Sequence, residues 1–206
     1  YFSSNLLVAT IAGDVVTIRG TGTCTITAIQ ASTANSTSGI ITASLAVNRT
    51  ETIISNFSIP AKEFGNAPFS LVPPTTISNG AFTYTSSDLS VATISRNMVT
   101  IVGVGTSTIT ANQATTVNYP SGAITTTLVV SQGRPALTNF SVPVKTIGDA
   151  TFTLTNPSSN SLGEFTYSST NTEVATIDGN TVTIVGAGTS TIRANQASTT
   201  QFLSGT

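Results

Sequence analysis

The stretch TVTIVGAGTSTIRANQAS, Thr181 to Ser198, decides the fold. Shifted back by 83 residues the chain reads MVTIVGVGTSTITANQAT, and by 83 more it reads VVTIRGTGTCTITAIQAS. The same offset aligns Tyr1, Tyr84 and Tyr167 without a gap. It also aligns the pairs Gly20/Gly22, Gly103/Gly105 and Gly186/Gly188, and Gln30, Gln113 and Gln196. The other half repeats as well: NFSIPAKEFGNAPFSL from Asn56 matches NFSVPVKTIGDATFTL from Asn139. Solenoid repeats run about 20 to 50 residues, so this period suits a whole small domain instead. The chain reads as a tandem array. Residues 1–48 are expected to be a partial module lacking its first strands, 49–55 a linker, and 56–131 a complete module. Residues 132–138 are a second linker, and 139–206 a module lacking its last strand.

Composition agrees with a β-rich array. Of 206 residues, 39% are apolar and only 7% charged, against about 25% charged in an ordinary soluble domain. Low charge alone would suit disorder, but disorder also needs low hydrophobicity, and the abundant Val, Ile and Thr favour strands. The net charge of -1 gives no attraction to a polyanion, so no nucleic-acid partner is expected. No apolar run approaches the length of about 18 residues that would cross a bilayer, so no membrane insertion is expected in this segment. The single Cys cannot build a disulfide framework.

In the middle module seven short strands are expected: FSIP (57–60), FSL (69–71), FTYTS (82–86), VATI (91–94), MVTIV (98–102), TSTITAN (106–112) and AITTTLVV (123–130). Short strands at this spacing indicate an antiparallel sandwich, and no helical periodicity is visible. Strand period two puts Ser107, Ile109 and Ala111 on one face and Thr106, Thr108 and Thr110 on the other. The third copy has Arg193 in the place of Thr110. Because Arg is rarely buried unpaired, the Thr face is the wet one. Cys24 stands where Ser107 and Ser190 stand, so it is expected to be a small core residue, with Ile26 and Ala28 on its stripe. Phe82 and Tyr84 share a face and are expected to fill the place that Trp fills in antibody domains. Gly103-Val104-Gly105 reads as a hairpin-like turn, since Gly supplies positive φ cheaply.

Little here is chemical. With no His, the His-based nucleophile arrangements and His-ligated zinc have no ligand to use. The acids Asp14, Glu51, Glu63, Asp88, Asp149, Glu164, Glu173 and Asp178 are scattered and form no calcium-loop ladder, with Glu51 near one linker the only hint of a junction ion. The glycine pair lacks the Lys and the helix of a phosphate loop. Lys62 and Lys145 are the only cations at equivalent positions; a turn-stabilising role is expected rather than an isopeptide link. Sequons at Asn35, Asn48, Asn56 and Asn139 are no more frequent than chance in a chain this rich in Ser and Thr. The Thr-rich faces serve strand formation and wetting, since a twisted sheet does not present the flat array that ice binding favours. No catalytic, cofactor or metal residue is assigned, no cofactor is implied, and the chain is read as not an enzyme.

The run VATISRNMVTIVGVGTSTITA (Val91–Ala111), with SVATI (90–94), the following V-T segment and GTSTITA (105–111), resembles the signature of bacterial immunoglobulin-like (Big) domains. It does so in all three copies, and KEFGNAPFSL (62–71) is similar to the family's K-x-G-x segment. The resemblance implies tandem Ig-like β-sandwiches over essentially the whole chain. Such domains serve as stalk and spacer modules in surface adhesins, phage structural proteins and large-virus virion proteins, and the family has no catalytic residues. The implied function is a non-catalytic structural module in a stalk or fibre on a cell or virion surface. Its partners would be the neighbouring modules of its own chain and other surface or virion structural proteins. One alternative is a subunit of an extracellular homo-polymer completed by strand donation between chains. Another is an adhesin module binding a glycan or receptor through Ser86–Leu89 or Asn112–Ser121, with Tyr119 and its counterpart Phe202 as the stacking aromatics.

Overall fold

A computed structural model describes residues 1–206 of the chain. It is all-β, with twenty-one strands and no helix. Its strands pair antiparallel, except that Val130–Ser131 runs parallel to Lys62–Glu63 and an isolated parallel bridge joins Gly133 and Phe202. The chain forms two compact units. The first comprises Tyr1–Ser58, Val72–Thr85 and Ile109–Thr126; the second comprises Ile59–Leu71, Ser86–Thr108 and Thr127–Thr206.

In the first unit, Ala9–Ala12 and Val15–Ile18 form a hairpin. Gly22–Gln30 lies between Phe2–Ser3 and Gly39–Val47. Strand alternation turns Cys24 inward, where it is buried with Val8 and Ala9, and Ile26, Leu45 and Val47 pack around this cluster. Ile54–Ser55 pairs with Thr75–Thr76. Phe82 and Tyr84 do share a face: their rings stack at 6.3 Å, and Phe57 reaches Tyr84 at 6.1 Å.

In the second unit, Met98–Ile101 lies between Ala92–Ser95 and Phe69–Ser70. Thr181–Ile184 lies likewise between Ala175–Asp178 and Phe152–Thr153. Leu137–Thr138 pairs with Ser158–Ser159, and Phe165–Ser169 with Ile192–Gln196. Leu154, Ala175 and Val182 form a buried cluster, against which Phe140, Phe152 and Tyr167 pack.

The face assignment of TSTITAN holds for Ser107, Ile109 and Ala111, which are buried, and for Thr106 and Thr108, which are exposed; it fails at Thr110, which is half-buried, and at the matching Thr27, which is buried. Two further expectations are corrected. FSIP (57–60) is not a strand, and the pairing lies earlier, at Ile54–Ser55. The cause is Asn56, whose φ of 59° ends the extended run; Asn139 repeats it at 59°. Asn tolerates this left-handed conformation better than most residues. The glycine pair is not a hairpin turn either. Met98–Ile101 and Gly105–Gln113 belong to different sheets, so Gly103-Val104-Gly105 is the crossing between them. A Cβ on Gly103 would come within 2.6 Å of the Ser90 carbonyl oxygen, and one on Gly105, whose φ is 145°, within 2.9 Å of the Val91 side chain. The glycines are there for close approach. The true hairpin is the two-residue loop Arg96-Asn97, closed by the pairing of Ser95 with Met98.

Candidate functional site

No group of three or more His, Cys, Asp or Glu side chains is placed to hold a metal ion. Glu51 is exposed, as are the sequon residues Asn35, Asn48, Asn56 and Asn139. Lys62 and Lys145 each place the ammonium over an aromatic ring, Phe69 at 4.6 Å and Phe152 at 4.9 Å. Such contacts hold a cation by the ring's negative face, which gives these two cations a packing role. Cys24 is a free, buried thiol.

The side chains that converge do so to satisfy backbone. Gln113 is buried. Its Nε2 donates to the carbonyls of Ser78 (3.1 Å) and Gly80 (3.0 Å), and its Oε1 accepts from the Thr76 hydroxyl (3.0 Å). Gln196 repeats this, donating to the Ser161 and Gly163 carbonyls at 2.9 Å each and accepting from the Ser159 hydroxyl at 2.7 Å. A buried amide can be tolerated only when its donors and acceptor are matched in this way. The glycines under these amides leave no room: a Cβ on Gly163 would lie 1.9 Å from the Ala197 carbonyl oxygen.

Ser107 is a second hub. Its hydroxyl shares a hydrogen bond with the Ser86 hydroxyl at 2.8 Å and accepts from the Asp88 amide at 3.1 Å. Ser190 does the same with Ser169 (2.7 Å) and the Asn171 amide (3.0 Å). Next to the first hub, the Asp88 carboxylate accepts from the hydroxyl (2.6 Å) and amide (2.9 Å) of Ser90. The Ser90 hydroxyl first, then its amide, hold the carboxyl below its ordinary range. Asn5 and Asn171 occupy the equivalent positions and accept from the Leu7 and Glu173 amides at 3.1 Å each.

The most extended polar arrangement ties the segments expected as linkers to nearby loops. In the first unit the Thr50 amide donates to the Asn118 carbonyl (3.2 Å). The Thr52 hydroxyl donates to the Pro120 carbonyl (2.5 Å), and the Thr21 hydroxyl to the Val117 carbonyl (2.6 Å). In the second unit the Gly133 amide donates to the Gln201 carbonyl (3.0 Å), and the Leu203 amide returns to the Gly133 carbonyl (2.8 Å). Gln132 Nε2 adds a bond to the Thr199 carbonyl at 2.6 Å. Phe202 is buried and meets Phe64 edge-on, with ring centroids 5.3 Å apart. Gly133 is required here, because a Cβ would lie 2.2 Å from the Phe64 carbonyl oxygen. In the loop 112–121, named from sequence as one of two binding loops under the adhesin alternative, the carbonyls of Val117, Asn118 and Pro120 are taken up by the bonds from Thr21, Thr50 and Thr52. Sequence reasoning missed these contacts; the only signal for them was the Tyr119/Phe202 equivalence.

No protein-family model matches the chain, and no curated protein matches it.

Proposed function

We propose that the chain is a non-catalytic structural module: tandem Ig-like β-sandwiches of the Big type, repeating every 83 residues, that form part of an extracellular stalk or fibre on a cell or virion surface. The observation that carries this reading is the pair of linker contacts. Thr50 to Asn118 and Gly133 to Gln201 are the same backbone bond displaced by one period. A stalk needs each module fixed to the next, and a linker bonded to its neighbour's loop supplies that. Strand positions support the period: strands begin at Ala9, Ala92 and Ala175, and at Phe82 and Phe165. The glutamine and serine hubs also recur one period apart. The partners of each module are then its neighbours in the chain and the other structural proteins of that surface. A glycan-binding role for the end loops has less support, because Phe202 is buried against Phe64 and offers no open ring for stacking.

The test is the mass of the native parent polypeptide, by denaturing gel and intact mass spectrometry, with antibody labelling of intact cells or particles. A mass well above 21.0 kDa with surface labelling is expected. A native polypeptide of that mass, or one confined to the interior, overturns the stalk.

A further inference from the structure

Phe165–Ser169 has one neighbour in its sheet, Ile192–Gln196. The bonds at the two ends of that ladder fix which way its backbone groups point. The Ala197 amide donates to the Glu164 carbonyl (2.9 Å), and the Thr170 amide to the Thr191 carbonyl (3.0 Å). Bonded pairs in an antiparallel ladder alternate with unbonded ones. Thr166 and Ser168 therefore direct their amides and carbonyls at Ile192–Gln196, while Phe165, Tyr167 and Ser169 turn theirs away from it. No other strand takes these groups up. A recess of about 480 Å³ lies alongside, lined by Phe165, Thr166 and Tyr167 and by Asn156, Gly179 and Asn180.

The closing strand of a longer chain does not cover this edge. In the second copy that strand is present as Gly122–Ser131; it lies on the far side of Gly105–Gln113, and Phe82–Ser86 is still outermost. Phe2–Ser3 is outermost in the first copy as well. This step rests on the equivalence of the copies proposed above.

Exposed sheet edges are normally blunted by a charge, a Pro or a bulge. FTYSS (165–169) has none of these: it is uncharged, lacks Pro and pairs in unbroken register. The strand is also self-complementary. Set antiparallel to a second copy about Tyr167, each outward residue meets one with the same free amide and carbonyl. Tyr167 meets its own equivalent, and Phe165 meets the second copy's Ser169. Thr166 and Ser168, both exposed, then face each other across the closely spaced unbonded pairs, where hydroxyl side chains suit one another. The nearest charge in sequence, Glu164, meets Thr170 and not another acid.

We propose that Phe165–Ser169 is a docking edge for a second copy of this chain, joined antiparallel about a two-fold axis at Tyr167, so that chains associate laterally. Main-chain bonds supply the attachment, and the two-fold makes the contact isologous. One such edge is small, so the contact is weak alone. The like strand FTYTS at 82–86 offers another, and linked contacts reinforce each other.

Sedimentation equilibrium of the 206-residue chain, with amide hydrogen exchange at low and high concentration, tests this. A monomer–dimer equilibrium is expected, with protection that rises with concentration at the Phe165, Tyr167 and Ser169 amides. Thr166→Lys combined with Ser168→Lys sets Lys opposite Lys and should weaken association at least about tenfold. Mixing that chain with one carrying Thr166→Glu and Ser168→Glu should restore it. A chain that stays monomeric up to about 1 mM, a dimer formed without that protection, or a dimer that the two Lys changes leave intact overturns the docking edge. The Asn195 amide, opposite residue 166 in the ladder, reports on folding in each sample; where a variant loses its protection, the unaltered chain's concentration-dependent protection decides alone. If Asn195 exchanges freely in the unaltered chain, the third copy is not folded as described and the tandem reading fails too. If it is protected and no dimer forms, only the docking edge fails.

Discussion

Tyr84 and Tyr167 are equivalent in sequence, and removing the same hydroxyl from each should move stability in opposite directions. The Tyr84 hydroxyl is buried without a hydrogen-bond partner. The Tyr167 hydroxyl donates to Asn156 Oδ1 at 2.7 Å. The difference lies 83 residues before Asn156, where Pro73 has no side-chain acceptor to offer. Burial pushes both phenols up. An unsatisfied buried polar group costs about 1–3 kcal/mol, whereas a made hydrogen bond nets about 0.5–1.5 kcal/mol. Tyr84→Phe keeps the ring packed against Phe57 and Phe82 and discards only the cost, so it should stabilise its surroundings by about 1 kcal/mol. Tyr167→Phe should destabilise by about 0.5–1 kcal/mol, the lower end because Asn156 is exposed and can turn to water. Native-state hydrogen exchange, read at Phe82–Ser86 and Phe165–Ser169, lets each strand report on its own tyrosine. Pro73→Asn supplies the missing acceptor, and in a double-mutant cycle with Tyr84→Phe should show coupling of about 0.5–1.5 kcal/mol. Equal losses from the two Tyr→Phe changes, or zero coupling in the cycle, would refute the reasoning.

Three further outcomes follow from the same geometry. Arg96 sits at φ 58° where Gly13 and Gly179 sit at 65° and 58°. Arg96→Gly relieves about 1–2 kcal/mol of left-handed strain and gives back about 0.4–1 kcal/mol in unfolded-chain entropy; a raised urea midpoint is expected, and a lowered one counts against the turn assignment. Asp88 is held below its ordinary range by Ser90, so its contribution is fully present above the unfolded carboxyl pKa and lost as pH falls through the folded one. Asp88→Asn keeps the turn, as Asn5 and Asn171 do, and should flatten urea midpoints over that acidic window; an unchanged acid slope would show that Asp88 does not cause it. Gln196→Met leaves the Ser161 and Gly163 carbonyls without their donor and should cost about 2–5 kcal/mol, measured as lost exchange protection at Gln196 and Gly205; a cost under about 1 kcal/mol would mean the amide is not a clamp.

What could be read from sequence was what local periodicity controls. The alternation in TSTITAN placed Ser107, Ile109 and Ala111 inside, and the Ser-to-Cys exchange placed Cys24 with them. Phe82 and Tyr84 fell on one face for the same reason. What escaped depended on partners distant in sequence. Gln113 was visible as an aligned residue, but the carbonyls it clamps lie 35 and 33 positions away. The glycine pair looked like a turn because glycine is common in turns; its actual cause is the approach of Ser90 and Val91, in the turn before Ala92–Ser95. The strand at Ile54–Ser55 was hidden by the positive φ of Asn56, which no hydrophobic pattern encodes. The tethering of 49–55 and 132–138 was hidden for a similar reason, since it is made largely by backbone groups that every residue carries.

The central claim is that the linkers are fixed to neighbouring loops, and backbone ¹⁵N relaxation at Thr50 and Gly133 in the 206-residue chain tests it most directly. Order parameters near the rigid-backbone value of about 0.85, matching the flanking strands, are predicted. Values under about 0.6 at either residue would mean free tethers rather than joints, and would contradict the account of this chain as part of a stalk.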